Sequence, residues 1–109
     1  MSRRPITSRS AAEQMGAHAA EASRLLKALA NEKRLMILCL LADGERTVGE
    51  LNGLLDLSQS ALSQHLAVLR EDDLVQTRRD AKNVVYSLPQ GPAQRIIHVL
   101  HGVYCGVRK

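Results

Sequence analysis

Apolar side chains recur every three or four residues over the first part of the chain, which is the spacing of one face of a helix. The first stretch predicts a helix over residues 10 to about 30. A second helix is expected from Asn31, which can cap it, through Leu41, and Asp43-Gly44 can end it. The apolar stripe of the first helix runs through Met15, His18, Ala19, Ala22, Leu25, Leu26 and Leu29.

Two shorter helices are predicted next. Thr47-Val48-Gly49-Glu50 fits a capping box, in which side chains satisfy the free amides of a helix start, and opens a third helix to about Leu55. The fourth helix begins at Ser58 or Gln59. Its inward positions recur at helical spacing and can face a core: Leu62, Leu66 and Leu69.

The hydrophobic period then changes from that of a helix to that of strands. Alternating, β-branched segments predict strands at about Val75–Arg79 and Val84–Leu88, and Pro89–Pro92 starts a last helix to about Cys105. Helix, turn, helix and hairpin in this order predict a mainly α fold with a β-hairpin wing, a winged helix-turn-helix. We expect one domain over residues 10–109 and a disordered N-terminal arm at 1–9.

The last helix is apolar nearly all round, which is more than one neighbour can cover. We therefore expect a homodimer in which the first and last helices of two copies pair. A twofold axis would place two recognition helices about one DNA turn apart, ~34 Å, so that the operator should be an imperfect palindrome. The apolar positions are Ile96, Ile97, Val99, Leu100, Val103 and Tyr104.

Composition restricts the class of protein. The chain has 109 residues, enough for one domain, and contains neither Phe nor Trp, so its core must be aliphatic. No apolar run exceeds residues 35–42, far short of the ~20 residues of a membrane span. No hydrophobic segment follows the arginines of MSRRPITSR, so we expect no signal peptide and a cytoplasmic location.

Charge placement favours double-stranded DNA as the partner. The net charge is +4, but residues 57–88 are balanced, and the excess lies at the chain ends. The front of the fourth helix carries polar groups and no acid, and Gln59 and Gln64 can pair with adenine. The candidate DNA-binding residues are Ser58, Gln59, Ser60, Ser63, Gln64 and His65 on the helix, with Arg78, Arg79 and Lys82 on the wing.

Two other classes of function fit less well. A winged-helix module for protein interaction would carry acidic or apolar residues on the exposed face of that helix, where this chain has amides and hydroxyls. An enzyme would need a nucleophile–base pair or a cofactor loop, and the sequence offers neither. We therefore expect no catalytic activity and no cofactor.

From Leu25 to Tyr104 the chain resembles the ArsR/SmtB family of bacterial repressors. The motifs are LLKALANEKRLMIL, TVGELNGLLDLSQSALSQHLAVLREDDLV and TRRDAKNVVYSL. The resemblance implies a homodimer that represses by occupying its operator and leaves it when an inducer binds. Members often have glycine where this chain has Asp73, so we expect a slightly different turn after the recognition helix.

The inducer site is where the chain departs from much of that family. The cysteine pair of the arsenic- and cadmium-type members corresponds to Thr47 and Gly49, and the Asp-x-His pair of the zinc- and nickel-type members is missing. What remains is Cys39 and Cys105, 66 positions apart. This arrangement is similar to the thiol-switching subgroup, in which persulfides or oxidants link two such cysteines and DNA affinity falls.

The residues themselves leave alternatives open at this point. Cys39, inside LMILCLLA, also fits an inert core thiol. His98 and His101 share a helix face with Cys105 and can tune its thiol, as a nearby protonated imidazole lowers a thiol pKa. The alternative is a metal site that releases DNA on loading, for which the candidate ligands are His18, His98, His101 and Cys105.

Overall fold

The computed structural model describes residues 10–106, so the arm predicted at residues 1–9 lies outside the described residues, as do residues 107–109. This part of the chain contains six helices and one small three-stranded sheet. The elements, in order, are α1 (Ala11–Gly16), α2 (Ala19–Leu29), α3 (Glu32–Ala42), β1 (Arg46–Thr47), α4 (Val48–Leu54), α5 (Gln59–Glu71), β2 (Gln76–Asp80), β3 (Asn83–Ser87) and α6 (Pro92–Tyr104).

The single first helix predicted over residues 10–30 is wrong, because the chain breaks it after Gly16. The amides of Ala17 and His18 bond back only three residues, to Gln14 at 3.2 Å and Met15 at 2.9 Å. Glycine is the weakest helix former other than proline, costing about 1 kcal/mol relative to alanine, and here it is the last residue of α1. The helix restarts when the amide of residue 22 bonds the carbonyl of His18 at 2.9 Å.

Three predicted helix starts are confirmed at their caps. The Asn31 side chain accepts from the second and third amides of α3 at 2.9 and 3.0 Å. Thr47 and Glu50 form the reciprocal capping box of α4, with bonds of 3.1 and 2.8 Å. The Ser58 hydroxyl accepts from the amide three residues on at 3.1 Å, which fixes the start of α5. Such a cap stabilises a helix by about 1 kcal/mol.

The core is aliphatic, as the composition predicted, with Tyr86 as its aromatic member. α3 lies at its centre and contacts α2, α5 and α6. Burying each large side chain contributes roughly 1.5–3 kcal/mol. The largest fully buried side chains come from α3, α4 and α5: Ile37, Leu38, Leu51, Leu62, Leu66 and Leu69.

The wing has one strand more than the sequence predicted. β1, two residues long, pairs antiparallel with β3, and the sheet order is β1-β3-β2. Arg46 lies opposite Tyr86, and Thr47 lies opposite Val85. A two-residue strand is too short to show an alternating pattern, so its pairing becomes visible only in the fold. The two predicted strands are confirmed to within one residue at each end.

The turn after α5 keeps the conformation that glycine favours, although residue 73 is aspartate. Asp73 has φ of 57°, in the left-handed region. Its amide bonds the carbonyl of Arg70 at 3.0 Å, and the amide of Leu74 bonds that of Leu69 at 2.8 Å. This is the Schellman pattern of a helix end. The expected change of turn is therefore not observed, and the strain of the left-handed residue is retained instead.

Candidate DNA interface and thiol pair

The polar front of α5 is exposed, as a DNA-reading helix requires. The Ser58 hydroxyl accepts the capping hydrogen bond at the start of α5, so its main role is structural. The next four polar candidates lie in two pairs at i and i+4, so that each pair shares one side of the helix. There is no acidic residue in the first turn to repel phosphate. The four exposed side chains are Gln59, Ser60, Ser63 and Gln64.

His65 is set back from this front. It is half-buried, and burial lowers its pKa, with the positive charges of Arg34 and Lys33 lowering it further. The imidazole is therefore neutral at pH 7 in the free protein. Arg34 is itself tied to the end of α2, since its Nε donates to the carbonyl of Ala28 at 2.8 Å. Lys33 is thus a cation beside the recognition helix that the sequence pattern did not reveal, because α3 and α5 meet only in the fold.

The three wing cations predicted from the sequence have different surroundings. Arg78 is paired with Glu45: its Nη2 lies 2.7 Å from Oε1 and its Nε lies 3.3 Å from Oε2. Arg79 and Lys82 are exposed, and neither forms a salt bridge with another of the residues that the structure describes. Arg79 and Lys82 are therefore the wing cations available to a phosphate.

Cys39 lies in the second half of α3, Cys105 ends α6, and these two helices contact each other. Both thiols are free; Cys39 is half-buried and packs against the core, whereas Cys105 is exposed. Cys105 is the C-cap of α6, and its amide bonds the carbonyl of His101 at 2.8 Å. A cavity of about 240 Å³ opens beside the first thiol, lined by Cys39, Ala42, Asp43, Gln94, Ile97, His98 and His101.

Burial raises the pKa of the Cys39 thiol, and negative charges on Cys105 and on Asp43 raise it further. His98 and His101, which the sequence placed beside Cys105, line the cavity that contains Cys39. Both imidazoles therefore lie near that thiol.

The ligands of the alternative metal site are not assembled within one chain. No group of three or more His, Cys, Asp or Glu residues between 10 and 106 could hold a metal ion. His18 lines a different and larger cavity, of about 760 Å³, which lies between α2 and the turn before α6 and also contains Glu21 and Arg24. Of the four proposed ligands, His98 and His101 line one cavity, whereas His18 lines the other.

The terminal helices expose a row of large apolar side chains. Four of the most exposed lie on α2 and α6, in line with the pairing face predicted from the sequence. The exposed side chains are Leu26, Val99, Val103 and Tyr104.

None of the helices described over residues 10–106 combines the length and the apolar character needed to cross a membrane.

Comparison with known proteins agrees with this geometry. Residues 31–77 match the family of bacterial regulatory proteins described as the arsR family. The transcriptional activator HlyU of Vibrio cholerae serotype O1 is 54% identical over 93 residues, which cover 85% of this chain and 86% of HlyU. The solved structure of reduced HlyU from Vibrio cholerae N16961 superposes with a TM-score of 0.80 over 85% of this chain and 98% of its own, at 54% identity.

Two further structures extend the likeness. The transcriptional repressor BigR from Xylella fastidiosa has a TM-score of 0.80 at 40% identity, covering 88% of this chain and 98% of its own. The homodimeric winged helix-turn-helix DNA-binding domain of Mb0332 from Mycobacterium bovis has a TM-score of 0.72 at 30% identity, covering 90% and 89%. The predicted fold and the resemblance to a family of DNA-binding regulators, rather than enzymes, are confirmed.

Proposed function

Since the chain belongs to the ArsR family of bacterial regulatory proteins, we propose that it is a homodimeric, cytoplasmic repressor whose operator affinity falls when Cys39 and Cys105 become linked. The observation that supports the thiol part is that the two helices that carry Cys39 and Cys105, α3 and α6, contact each other within a single protomer, and that a negative charge on Cys105 raises the pKa of Cys39. The DNA-binding part follows from family membership.

DNA recognition uses the exposed front of α5 in the major groove. Gln59 and Gln64 present amides that can bond adenine at its N6 and N7 atoms, and the serines between them reach bases or phosphates. Neutral His65 can accept or donate one bond at the edge of this footprint. Arg79 and Lys82 of the wing bind phosphate, which adds affinity for any sequence.

Two copies pair through α2 and α6 to bury the exposed apolar row. One relative, Mb0332, is a homodimeric DNA-binding domain of the same fold. Burying side chains such as Val99 and Val103 contributes about 25 cal/mol for each Å² of apolar surface removed from water. Twofold symmetry then presents two α5 helices about 34 Å apart to an imperfect palindrome.

The inducing reaction begins at Cys105, because it is the exposed thiol. Its thiolate attacks the outer sulfur of a low-molecular-weight persulfide, RSSH. A new S–S bond forms on Cys105, the S–S bond of the persulfide breaks, and the thiolate RS⁻ leaves. A peroxide acts at the same atom by oxidising it to a sulfenic acid, with water or an alcohol as the reduced product.

Cys39 is the resolving thiol. After it loses its proton, for which His98 and His101 are the nearby acceptors, its thiolate attacks the sulfur of Cys105. A disulfide forms, and hydrosulfide leaves from a persulfide, or water from a sulfenic acid. Two thiols are oxidised and one sulfane sulfur or one peroxide is reduced. A longer bridge takes one further sulfane sulfur for each atom that it adds.

The link reaches DNA through α3. Cys39 lies in the second half of α3, and Lys33 and Arg34 at its start lie beside His65 of the recognition helix. These two sites are about 9 Å apart along a continuous helix, at 1.5 Å per residue. A covalent tie between α3 and α6 therefore shifts the support of α5, and two half-sites that no longer fit the operator together lose base and phosphate contacts at once.

The test uses Cys39→Ser and Cys105→Ser with fluorescence anisotropy on the upstream region of the gene itself. Both variants should bind DNA like the wild type when reduced, and neither should release it after persulfide treatment. Cys39→Ala is a second substitution at the half-buried position, in case serine disturbs packing. Intact mass should show sulfur added to Cys105 in the Cys39 variants and a cross-link only in the wild type. Normal release by both variants would disprove the switch.

A further inference from the structure

The ion pair between Glu45 and Arg78 joins the two outer strands of the wing. Glu45 directly precedes β1, and Arg78 lies in the middle of β2, 33 positions later. Two nitrogens of the guanidinium meet two oxygens of the carboxylate, at 2.7 and 3.3 Å. Arg78 also has its Nη1 4.0 Å from Asp80. The hydrogen bond from Arg78 lowers the pKa of Glu45, so the carboxylate is ionised at neutral pH.

The pair crosses the middle strand of the sheet. Thr47 of β1, Val85 of β3 and Arg78 of β2 lie in one row of the register. Directly opposed residues of antiparallel strands point to the same face of the sheet. Val85 therefore lies on the same face as Arg78, between Arg78 and β1. Val85 is only 6% exposed, yet it lies outside the core cluster that contains its neighbour Tyr86.

This arrangement removes one cation from the surface that faces phosphate. A fork-to-fork pair of guanidinium and carboxylate uses the same donors that would bind a phosphate. About half of each side chain is accessible, 53% for Arg78 and 49% for Glu45, so a phosphate and Glu45 can compete for the guanidinium in water. Arg79 and Lys82 face no such competitor among the described residues.

We propose that Glu45 is a positioning residue that keeps Arg78 out of the phosphate footprint and so limits sequence-independent DNA binding by the wing. Arg78 then remains bound to Glu45 in the DNA complex. The proposal rests on the DNA-binding function described above. It gives Glu45 a role in limiting sequence-independent binding, separate from base recognition by α5 and from the thiol switch.

The salt dependence of DNA affinity tests this assignment. Each phosphate neutralised by a protein cation adds about 0.9 to the slope of log K against log salt. Glu45→Gln frees Arg78 in both protomers of the dimer, so binding to a scrambled duplex should tighten and the slope should steepen by about 1.8. The affinity gain should then shrink about 12-fold between about 50 and 200 mM salt. Glu21→Gln, the same charge change on α2, is the control and should leave the slope unaltered.

A charge swap distinguishes competition between Glu45 and phosphate for Arg78 from a general repulsion of phosphate by the acidic side chain. Glu45→Arg with Arg78→Glu restores the pair with the same net charge but leaves no cation at position 78. The swap should bind with the wild-type affinity and slope. A slope reduced by about 1.8 in the swap would show that Arg78 of both protomers contacts phosphate in the wild type, and an unchanged slope in Glu45→Gln would equally overturn the proposal. If the wild type bound no DNA at all, that result would instead contradict the proposed function.

Discussion

The two thiols differ in burial and in the charges around them, and in the proposed switch these differences give them different steps. Cys105 is exposed at a helix end, whereas the pKa of Cys39 is raised first by burial and then by the charges of Cys105 and Asp43. A thiol with a raised pKa has less thiolate at neutral pH and reacts more slowly. The sequence showed both cysteines but not their order of reaction, because the burial of each depends on the contact between α3 and α6.

The first residue-scale prediction concerns the pH dependence of Cys39. Its alkylation rate in Cys105→Ser should still be rising above the ordinary thiol pKa of about 8.5, because burial remains. The midpoint should nevertheless lie below that of Cys39 in the wild type, since one of the charges that raise the pKa has been removed. Iodoacetamide labelling followed by peptide mass measures both profiles. A midpoint at or below 8.5 would contradict the burial argument.

A second residue-scale prediction concerns the hairpin turn between β2 and β3. Ala81 has φ of 59°, in the left-handed region, which costs an L residue roughly 1–2 kcal/mol. Ala81→Gly should therefore raise the free energy of unfolding by about 0.5–1 kcal/mol, after the extra entropy of glycine in the unfolded chain is subtracted.

The matched control for that turn is Ala67→Gly on the exposed side of α5. It introduces the same residue into a helix interior and should destabilise by about 1 kcal/mol. Urea unfolding followed by circular dichroism measures both changes. A loss of stability in Ala81→Gly would mean that the turn is not strained.

At the scale of elements, what could be predicted from the sequence was what neighbouring residues decide. The caps at Asn31, Thr47 and Ser58 were identified because cap and capped amide lie two or three residues apart. The strand β1 and the pair of Glu45 with Arg78 were missed because their partners are more than 30 positions away. The break after Gly16 was missed because the apolar stripe continues across it.

Substitutions in the recognition helix should distinguish the residue that caps it, Ser58, from the residues that contact bases, Gln59 and Gln64. Gln59→Ala and Gln64→Ala should each cost about 1–3 kcal/mol of discrimination at one operator position, because a bidentate amide–adenine pair is lost. Thermal stability should hardly change. Ser58→Ala should do the opposite, lowering stability by about 1 kcal/mol through loss of the bond to the amide of Ala61. Competition binding with single-base operator variants, beside thermal unfolding, measures both effects.

That assignment has a clear contrary result. If Gln59→Ala and Gln64→Ala weakened every DNA sequence by the same factor, the two amides would be phosphate contacts, and base readout would have to come from other side chains of α5.

At the scale of the whole molecule, the exposed apolar row predicts the assembly. Val103, 67% exposed on α6, should lie in the dimer interface. Val103→Glu would bury an unpaired charge there and should shift sedimentation towards the monomer, with DNA affinity falling because two half-sites no longer act together. Leu54→Glu, on α4 at 55% exposure, is the matched control and should leave the dimer intact. A dimer of unchanged strength in Val103→Glu would move the interface elsewhere.

We propose that a covalent link between α3 and α6 lowers operator affinity, and one measurement tests this directly. Wild-type protein is treated with a low-molecular-weight persulfide until intact mass shows a complete link between Cys39 and Cys105. Its operator Kd is then measured by anisotropy before treatment, after treatment and after reduction with dithiothreitol. A coupling of 1–3 kcal/mol predicts a rise in Kd of about 5- to 150-fold that reduction reverses. A fully linked protein that binds its operator as tightly as the reduced one would contradict the account.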